Sequence, residues 1–224
     1  MQQYWGYDSF RPLQEDIIQS VLDGKDTLAL LPTGGGKSIC FQVPALAREG
    51  ICIVVSPLIA LMKDQVENLR KRGILAEAIY SGMRKSDIDR ILDNCVYGKT
   101  KFLYLSPERL TTEIARVRIS RMPVNLLAVD EAHCISQWGY DFRPPYLDIA
   151  SIRELLPEKV PVLALTATAT PEVVRDIQEK LEFPEPNVLQ KSFSRSNLSY
   201  SVLYEEGKDQ KLVDIFKRVK GSGI

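Results

Sequence analysis

The sequence predicts an α/β fold, with a mostly parallel central sheet flanked by helices. Three observations predict it. Short apolar runs recur along the 224 residues: DTLALL, GICIVVS, KFLYLS, PVNLLAV and VPVLALT. Segments with the apolar spacing of helices, roughly 10 to 15 residues long, separate most of them, the pattern of βαβ units around a parallel sheet. Polar residues with chemical potential stand where those runs end: Ser56, Ser106, Asp130 and Thr166. In parallel sheets ligands gather at the carboxyl ends of the strands.

The elements follow in order. Residues 4–14, YWGYDSFRPLQ, are dense in aromatics. Pro12 suits the first turn of a helix that carries Leu13, Ile17, Ile18, Val21 and Leu22 on one face and stops at Gly24. A strand is predicted over residues 26–31 and a helix over 37–47. The β-branched run 50–56 reads as a buried strand. Leu58, Leu61, Met62, Val66 and Leu69 line one face of the next helix, which Gly73 closes. Strands are predicted at 76–80, 101–106, 123–129 and 160–166. Ser86 is placed as the cap of a helix running to about 96, and Thr170 as the cap of a helix over 171–181. Beyond residue 184 the chain turns polar and rich in Ser and Pro. A strand at 199–204 and a helix at 208–219 are predicted there. The first domain is therefore drawn over residues 1–195, and 196–224 are read as a linker and the opening of a second domain.

The stretch LPTGGGKS, residues 31–38, joins a strand to a helix through three glycines. That is the context of a phosphate-binding P-loop. Thr33, Gly34, Gly35 and Gly36 would curl the backbone so that successive N–H groups face one centre, reinforced by the helix N-terminus. Lys37 would reach the β- and γ-phosphates, and the Ser38 hydroxyl would hold Mg²⁺. Leu31 stands where the usual string has its first Gly.

A nucleotide site also needs a metal carboxylate, a group that orients water, and a base selector. Asp130 and Glu131 end an apolar strand. Asp130 would hold Mg²⁺ through water, and Glu131 would orient and deprotonate the nucleophile. The tetrapeptide DEAH includes His133, the only histidine. Its place two residues after the proposed base suits coupling to neighbouring loops; a purely structural histidine is the other reading, and no metal role is expected of it. Gln14 is the candidate adenine selector, since a primary amide can donate to N7 and accept from the N6 amine, as in DNA readout. Arg11 and Tyr7 would stack on the ring or hold its edge. Packing alone is the other reading of that cluster. Residues 134–146, CISQWGYDFRPPY, set Trp138, Tyr140, Phe142, Arg143 and Tyr146 in one stretch. Aromatics interleaved with Arg suit stacking on single-stranded bases and pairing with phosphates. A small satellite core is the alternative. In TATAT, residues 166–170, the hydroxyls of Thr166 and Thr168 would relay hydrogen bonds from the phosphate site to another surface.

Composition narrows the classes. The chain is 45% hydrophobic and 26% charged, ordinary for a globular protein. Basic and acidic residues balance at 29 each. That argues against a histone-like binder and leaves room for a local nucleic-acid groove. No apolar run approaches the roughly 20 residues of a membrane span, and the N-terminus lacks a signal-peptide pattern. A cytosolic protein without membrane contact is expected. Cys40, Cys52, Cys95 and Cys134 are scattered, with no CxxC pair. No structural zinc is expected, and the thiols are read as buried or inert.

Taken together, GYDSFRPLQ, PTGGGKS, SPLIALMKDQV, YLSPERL, DEAHCISQWGYDFRPPY and ALTATAT resemble motifs 0, I, Ia, Ib, II with its aromatic-rich loop, and III of superfamily 2 helicases, within them the RecQ family. The match runs from about residue 4 to 200. Leu31 in the P-loop is a common feature of that family. The resemblance implies a RecA-like lobe of an ATP- and Mg²⁺-dependent 3′–5′ DNA helicase of recombination and repair, in the cytoplasm or on a bacterial nucleoid. It implies Lys37, Ser38, Asp130 and Glu131 as the ATPase residues, with Gln14, Arg11 and Tyr7 at the adenine. It implies Trp138, Phe142 and Arg143 as the loop that senses single-stranded DNA. Its partners would be single-stranded and partial-duplex DNA and a second RecA-like lobe of the same chain, which carries motifs IV to VI and an arginine finger. Those motifs are not among the 224 residues, so this lobe alone is expected to bind ATP weakly and not to unwind. DEAH alone is shared with RNA-directed relatives. An RNA-remodelling ATPase lobe and a non-hydrolysing DNA- or protein-binding lobe are the alternatives.

Overall fold

A computed structural model describes residues 1–157, 159–190, 202, 204 and 206–218. The chain forms two compact units, residues 1–191 and 192–224. The first unit opens with a single turn, α1 (Gln2–Trp5), then α2 (Gln14–Leu22), β1 (Thr27–Leu30), α3 (Lys37–Ala47), β2 (Ile51–Val55), α4 (Ile59–Lys71), β3 (Ala76–Ile79) and α5 (Lys85–Tyr97). It continues with β4 (Phe102–Leu105), α6 (Pro107–Leu110), α7 (Glu113–Ile119) and β5 (Val124–Val129). Two runs of 3₁₀ turns follow, Ala132–Ile135 and Pro144–Leu155, before β6 (Val162–Thr166), α8 (Pro171–Lys180) and β7 (Val188–Gln190). In the second unit the described helix is α9 (Lys208–Arg218), which carries Leu212, Val213, Ile215 and Phe216 at helical spacing. Of the strand expected at 199–204 only Val202 and Tyr204 are among the described residues, and neither is in a strand.

The seven strands form one sheet in the order β3-β4-β2-β5-β6-β1-β7, and every pairing is parallel. Period-two alternation explains why nearly every central strand residue is apolar. Leu28, Leu30, Ile51, Ile53, Leu103, Leu105, Leu127 and Val129 belong to the core on one face. Ala29, Leu31, Cys52, Val54, Phe102, Tyr104, Leu126 and Ala128 belong to the core on the other. Two helical layers cover the sheet, so both sets are buried.

Polar clamps fix the amino-terminal ends of the strands. Asp26 accepts from Val162 N at 2.8 Å and pairs with Arg153 at 2.6 Å. Asn187 donates to Ser20, to the Asp26 carbonyl and to Thr27 at 2.9, 2.8 and 3.2 Å. That amide ties β7 to β1, and it lets a three-residue edge strand keep its register.

The structure corrects several local expectations. Helix α2 begins at Gln14, with Leu13 as its N-cap in a left-handed conformation at φ 73°, so Pro12 precedes the helix instead of opening it. Ser86 lies inside α5, whose N-cap is Arg84 without a side-chain bond. The cap at Thr170 holds: its hydroxyl accepts from Val173 N at 3.4 Å. The short helices α6 and α7, the 3₁₀ runs and β7 were too short or too irregular for periodicity to reveal. All four cysteines are buried, and no helix among the described residues is long and apolar enough to cross a membrane.

Candidate functional site

The ends of β1, β2, β5 and β6 bring the P-loop, Ser56, Asp130 and Thr166 to one edge of the sheet. Gly34 and Gly36 take left-handed φ values of 75° and 78°. A Cβ on Gly36 would stand 2.3 Å from the Gln14 amide nitrogen, and one on Gly35 would stand 2.7 Å from the Pro32 carbonyl. Glycine is required at both places, because a side chain would collide with backbone or with a buried neighbour. Gly36 is the N-cap of α3, so the helix begins on Lys37.

Lys37 Nζ lies 3.1 Å from Glu131 Oε1. The other carboxylate oxygen lies 3.3 Å from His133 Nδ1. Glu131 itself has a left-handed backbone, φ 49°, which turns its side chain back across the P-loop. A non-glycine residue held there stores roughly 1–3 kcal/mol of strain, a cost that clusters at functional sites. The hydrogen bond from His133 holds the Glu131 carboxyl below its usual range, and Lys37 adds to that. Asp130 shifts the opposite way: burial raises it first, then the charge of Glu131. Ser56 Oγ donates to Asp130 at 3.5 Å, and Glu131 N donates to it at 3.0 Å. A buried carboxylate beside a second carboxylate is a place where a cation is favoured. Asp130 and the Ser38 hydroxyl therefore fit Mg²⁺ by charge and donor type. The Ser38 hydroxyl is held by Gln65 Nε2 at 2.7 Å, and Gln65 in turn by Gln42 at 3.0 Å. Those two glutamines, on α4 and α3, had no signal in the sequence.

His133 links this centre to the TATAT turn. Thr166 donates to the Thr168 carbonyl at 3.1 Å, so its oxygen accepts from His133 Nδ1 at 3.0 Å. The His133 proton is thereby placed on Nδ1. Tyr140 stacks on the ring, with centroids 4.6 Å apart.

Gln14, Arg11 and Tyr7 line a cavity of about 420 Å³ with Trp5, Asp8 and Ile39, next to Gly36. Gln14 is buried, and both ends of its amide are engaged. Its oxygen accepts from Arg11 N at 2.9 Å, and its nitrogen donates to the Gly35 and Gly36 carbonyls at 3.3 and 3.1 Å. Arg11 also donates to the Gly34 carbonyl. Tyr7 is half exposed at the rim. Residue types alone did not show this bracing of the loop by the cluster.

The aromatic stretch divides between its two readings. Trp138 and Tyr140 are each 78% exposed, whereas Tyr146 is fully buried and donates to the Asp130 carbonyl at 3.0 Å. Phe142 is half-buried. Arg143 pairs with Asp141 at 3.1 Å and donates to the Pro57 carbonyl at 3.4 Å. The front of the stretch is surface, and its end is core.

Fold and site together define a RecA-like P-loop lobe with its carboxylates at strand ends. The profile of the DEAD/DEAH box helicases matches residues 11–177. The chain belongs to the DEAD/DEAH box helicase family, on its RecQ side. It is 47% identical over 209 residues to the ATP-dependent DNA helicase RecQ of Bacillus subtilis, covering 92% of this chain and 35% of that protein. It is 41% identical over 226 residues to the probable ATP-dependent DNA helicase RecS of the same organism, covering 99% of this chain and 45% of that protein. The chain thus spans less than half the length of these relatives. Among solved structures, the helicase domain of Pyrococcus furiosus Hef shares the fold with a TM-score of 0.62 at 21% identity, over 81% of this chain and 38% of that one. A hypothetical ATP-dependent RNA helicase from Sulfolobus tokodaii gives 0.64 at 18%, over 83% and 54%.

Proposed function

We propose that this chain is the first motor lobe of an ATP-dependent 3′–5′ DNA helicase, coupling ATP hydrolysis to movement along single-stranded DNA in recombination and repair. The observation that carries the reading is the continuous contact from Lys37 through Glu131 and His133 to Tyr140. It joins a phosphate loop to an exposed aromatic surface through one carboxylate and one imidazole.

On this reading the P-loop amides and Lys37 take the ATP phosphates. Lys37 then exchanges its bond to Glu131 for the phosphate oxygens. The freed Glu131 oxygen orients the attacking water and accepts its proton. Ser38 and Asp130 would hold Mg²⁺, which neutralises phosphate charge when bound. Gln14, Arg11 and Tyr7 would receive the adenine in the cavity beside Gly36. For Gln14 that means giving up its bonds to the Gly35 and Gly36 carbonyls. His133 and the Thr166–Thr168 turn pass the state of Glu131 to the loop of Trp138, Phe142 and Arg143, where single-stranded bases would stack and phosphates pair.

Residues 1–195 would form this lobe, and 196–224 would lead into a second RecA-like lobe. An arginine finger from that lobe would contribute about 10³- to 10⁵-fold in rate. The 224-residue chain alone would accordingly bind ATP weakly and not unwind. The test compares ATP hydrolysis by a protein carrying both lobes, with single-stranded DNA and with single-stranded RNA. Stimulation by DNA that Glu131→Gln abolishes supports the proposal. Equal stimulation by RNA, or unwinding by the 224-residue chain itself, overturns it.

A further inference from the structure

The contacts of His133 with Glu131 and Thr166 both use Nδ1, and its other ring nitrogen faces the Cys134 thiol. With the proton on Nδ1 serving Glu131 and Thr166, the lone pair lies on Nε2. Tyr140 covers the face of the ring, not its edge. At that edge Cys134 Sγ stands 3.8 Å from Nε2, and Asp141 Oδ2 lies 3.7 Å from the sulfur. The ligand atoms of His133, Cys134 and Asp141 fall within 4.8 Å of one another, and no other group of three such side chains converges this way among the described residues.

The separations are close to those of a metal site. With Zn–S about 2.3 Å and Zn–N about 2.0 Å in a tetrahedron, sulfur and nitrogen stand about 3.5 Å apart. The supporting shell is also in place. A metal-bound imidazole characteristically donates its other N–H to a carboxylate, as His133 does to Glu131. Arg143 orients the Asp141 carboxylate from 3.1 Å. The Asp141 side chain is 46% exposed, which provides an entry path and room for a water as fourth ligand. A thiolate and a carboxylate would bring two negative charges to the ion, the carboxylate sharing its Oδ2 with the Arg143 guanidinium, while the imidazole stays neutral.

We propose that His133, Cys134 and Asp141 form a binding site for a borderline-soft divalent cation of the Zn²⁺ type, pinning the aromatic-rich loop to the DEAH turn. Binding breaks the Cys134 S–H bond, forms a sulfur–metal bond and releases one proton to solvent; nothing is oxidised or reduced. An oxygen-preferring ion such as Mg²⁺ would not select a site with a thiolate ligand.

The test titrates Co²⁺ into the 224-residue chain and follows visible d–d absorption and the near-ultraviolet thiolate-to-cobalt charge-transfer band. One equivalent is expected, with Zn²⁺ displacing it. Cys134→Ser should abolish the charge-transfer band, and Cys52→Ser should leave it unchanged. Because Cys134 is buried, Asp141→Asn at the half-exposed position is the second probe and should weaken cobalt binding at least tenfold without altering circular dichroism. Glu131→Gln, which disturbs the supporting shell, should weaken it about 10- to 100-fold. Absence of a cobalt–thiolate band at large metal excess, or its persistence in Cys134→Ser, would overturn the site. Neither result depends on ATP or DNA, so they leave the proposed motor function to its own test.

Discussion

Two adjacent carboxylates, Asp130 and Glu131, respond oppositely to the same small space. Asp130 is raised because burial and the neighbouring charge disfavour its ionised form. Above its unfolded value that ionised form costs stability, and the cost disappears as pH falls through the folded value. Asp130→Asn should therefore raise the midpoint of thermal unfolding at pH 7, by about 2–4 °C for each kcal/mol relieved in a chain of this size. The same variant should abolish ATP hydrolysis in the two-lobe protein. A calorimetric scan showing a lower midpoint would contradict the electrostatic account. Glu131 has the reverse sign: its lowered value contributes stability above the unfolded value that is lost as pH falls through the folded one. Gln14 offers a second prediction. Removing its amide leaves Arg11 N and two P-loop carbonyls without their partner. Gln14→Ala should weaken ATP binding by about 0.5–1.5 kcal/mol for each bond to the adenine lost and narrow the preference for ATP over GTP, read by fluorescence titration. Gln14 and Arg11 were legible as a cluster from their types. Gln65, which holds the Ser38 hydroxyl, was not, because it sits 27 residues away on another helix.

At the scale of elements, the loop after DEAH shows how one sequence stretch can serve two environments. Tyr146 anchors its end beneath Asp130, while Trp138 projects into solvent. Trp138→Ala should leave folding stability within about 0.5 kcal/mol, since an exposed side chain away from special contacts contributes little. In the two-lobe protein it should reduce affinity for single-stranded DNA by about 1–3 kcal/mol for the stacked base lost. Denaturant unfolding and fluorescence anisotropy would separate the two effects. The zinc-type site is also an element-scale feature. His133 and Cys134 are adjacent in sequence, but Asp141 comes seven residues on with no ligand spacing to mark it. Only the fold of the loop brings its carboxylate back to the thiol.

Across the whole molecule, the active edge depends on clamps at the opposite ends of the strands. Asp26 is 7% exposed and carries both the Val162 amide and Arg153. Arg153→Met would leave that carboxylate buried without its cation, at a cost of roughly 3 kcal/mol. Urea unfolding of the 224-residue chain should show the loss. Nucleotide affinity, measured where the variant remains folded, should change little, because the clamp lies on the far side of the sheet.

The amino-acid sequence by itself determined the architecture and the centre of its chemistry. Apolar runs with buried alternation required a sheet covered on both faces, and LPTGGGKS and DEAH marked where two of its strands end. These signals are local, so they survive in one dimension. Tertiary structure alone decided the strand order, the left-handed turn at Glu131, the bracing of the P-loop by Gln14, and the partition of the aromatic stretch between surface and core. Each depends on atoms distant in sequence meeting at contact distance, and no periodicity or motif records such a meeting.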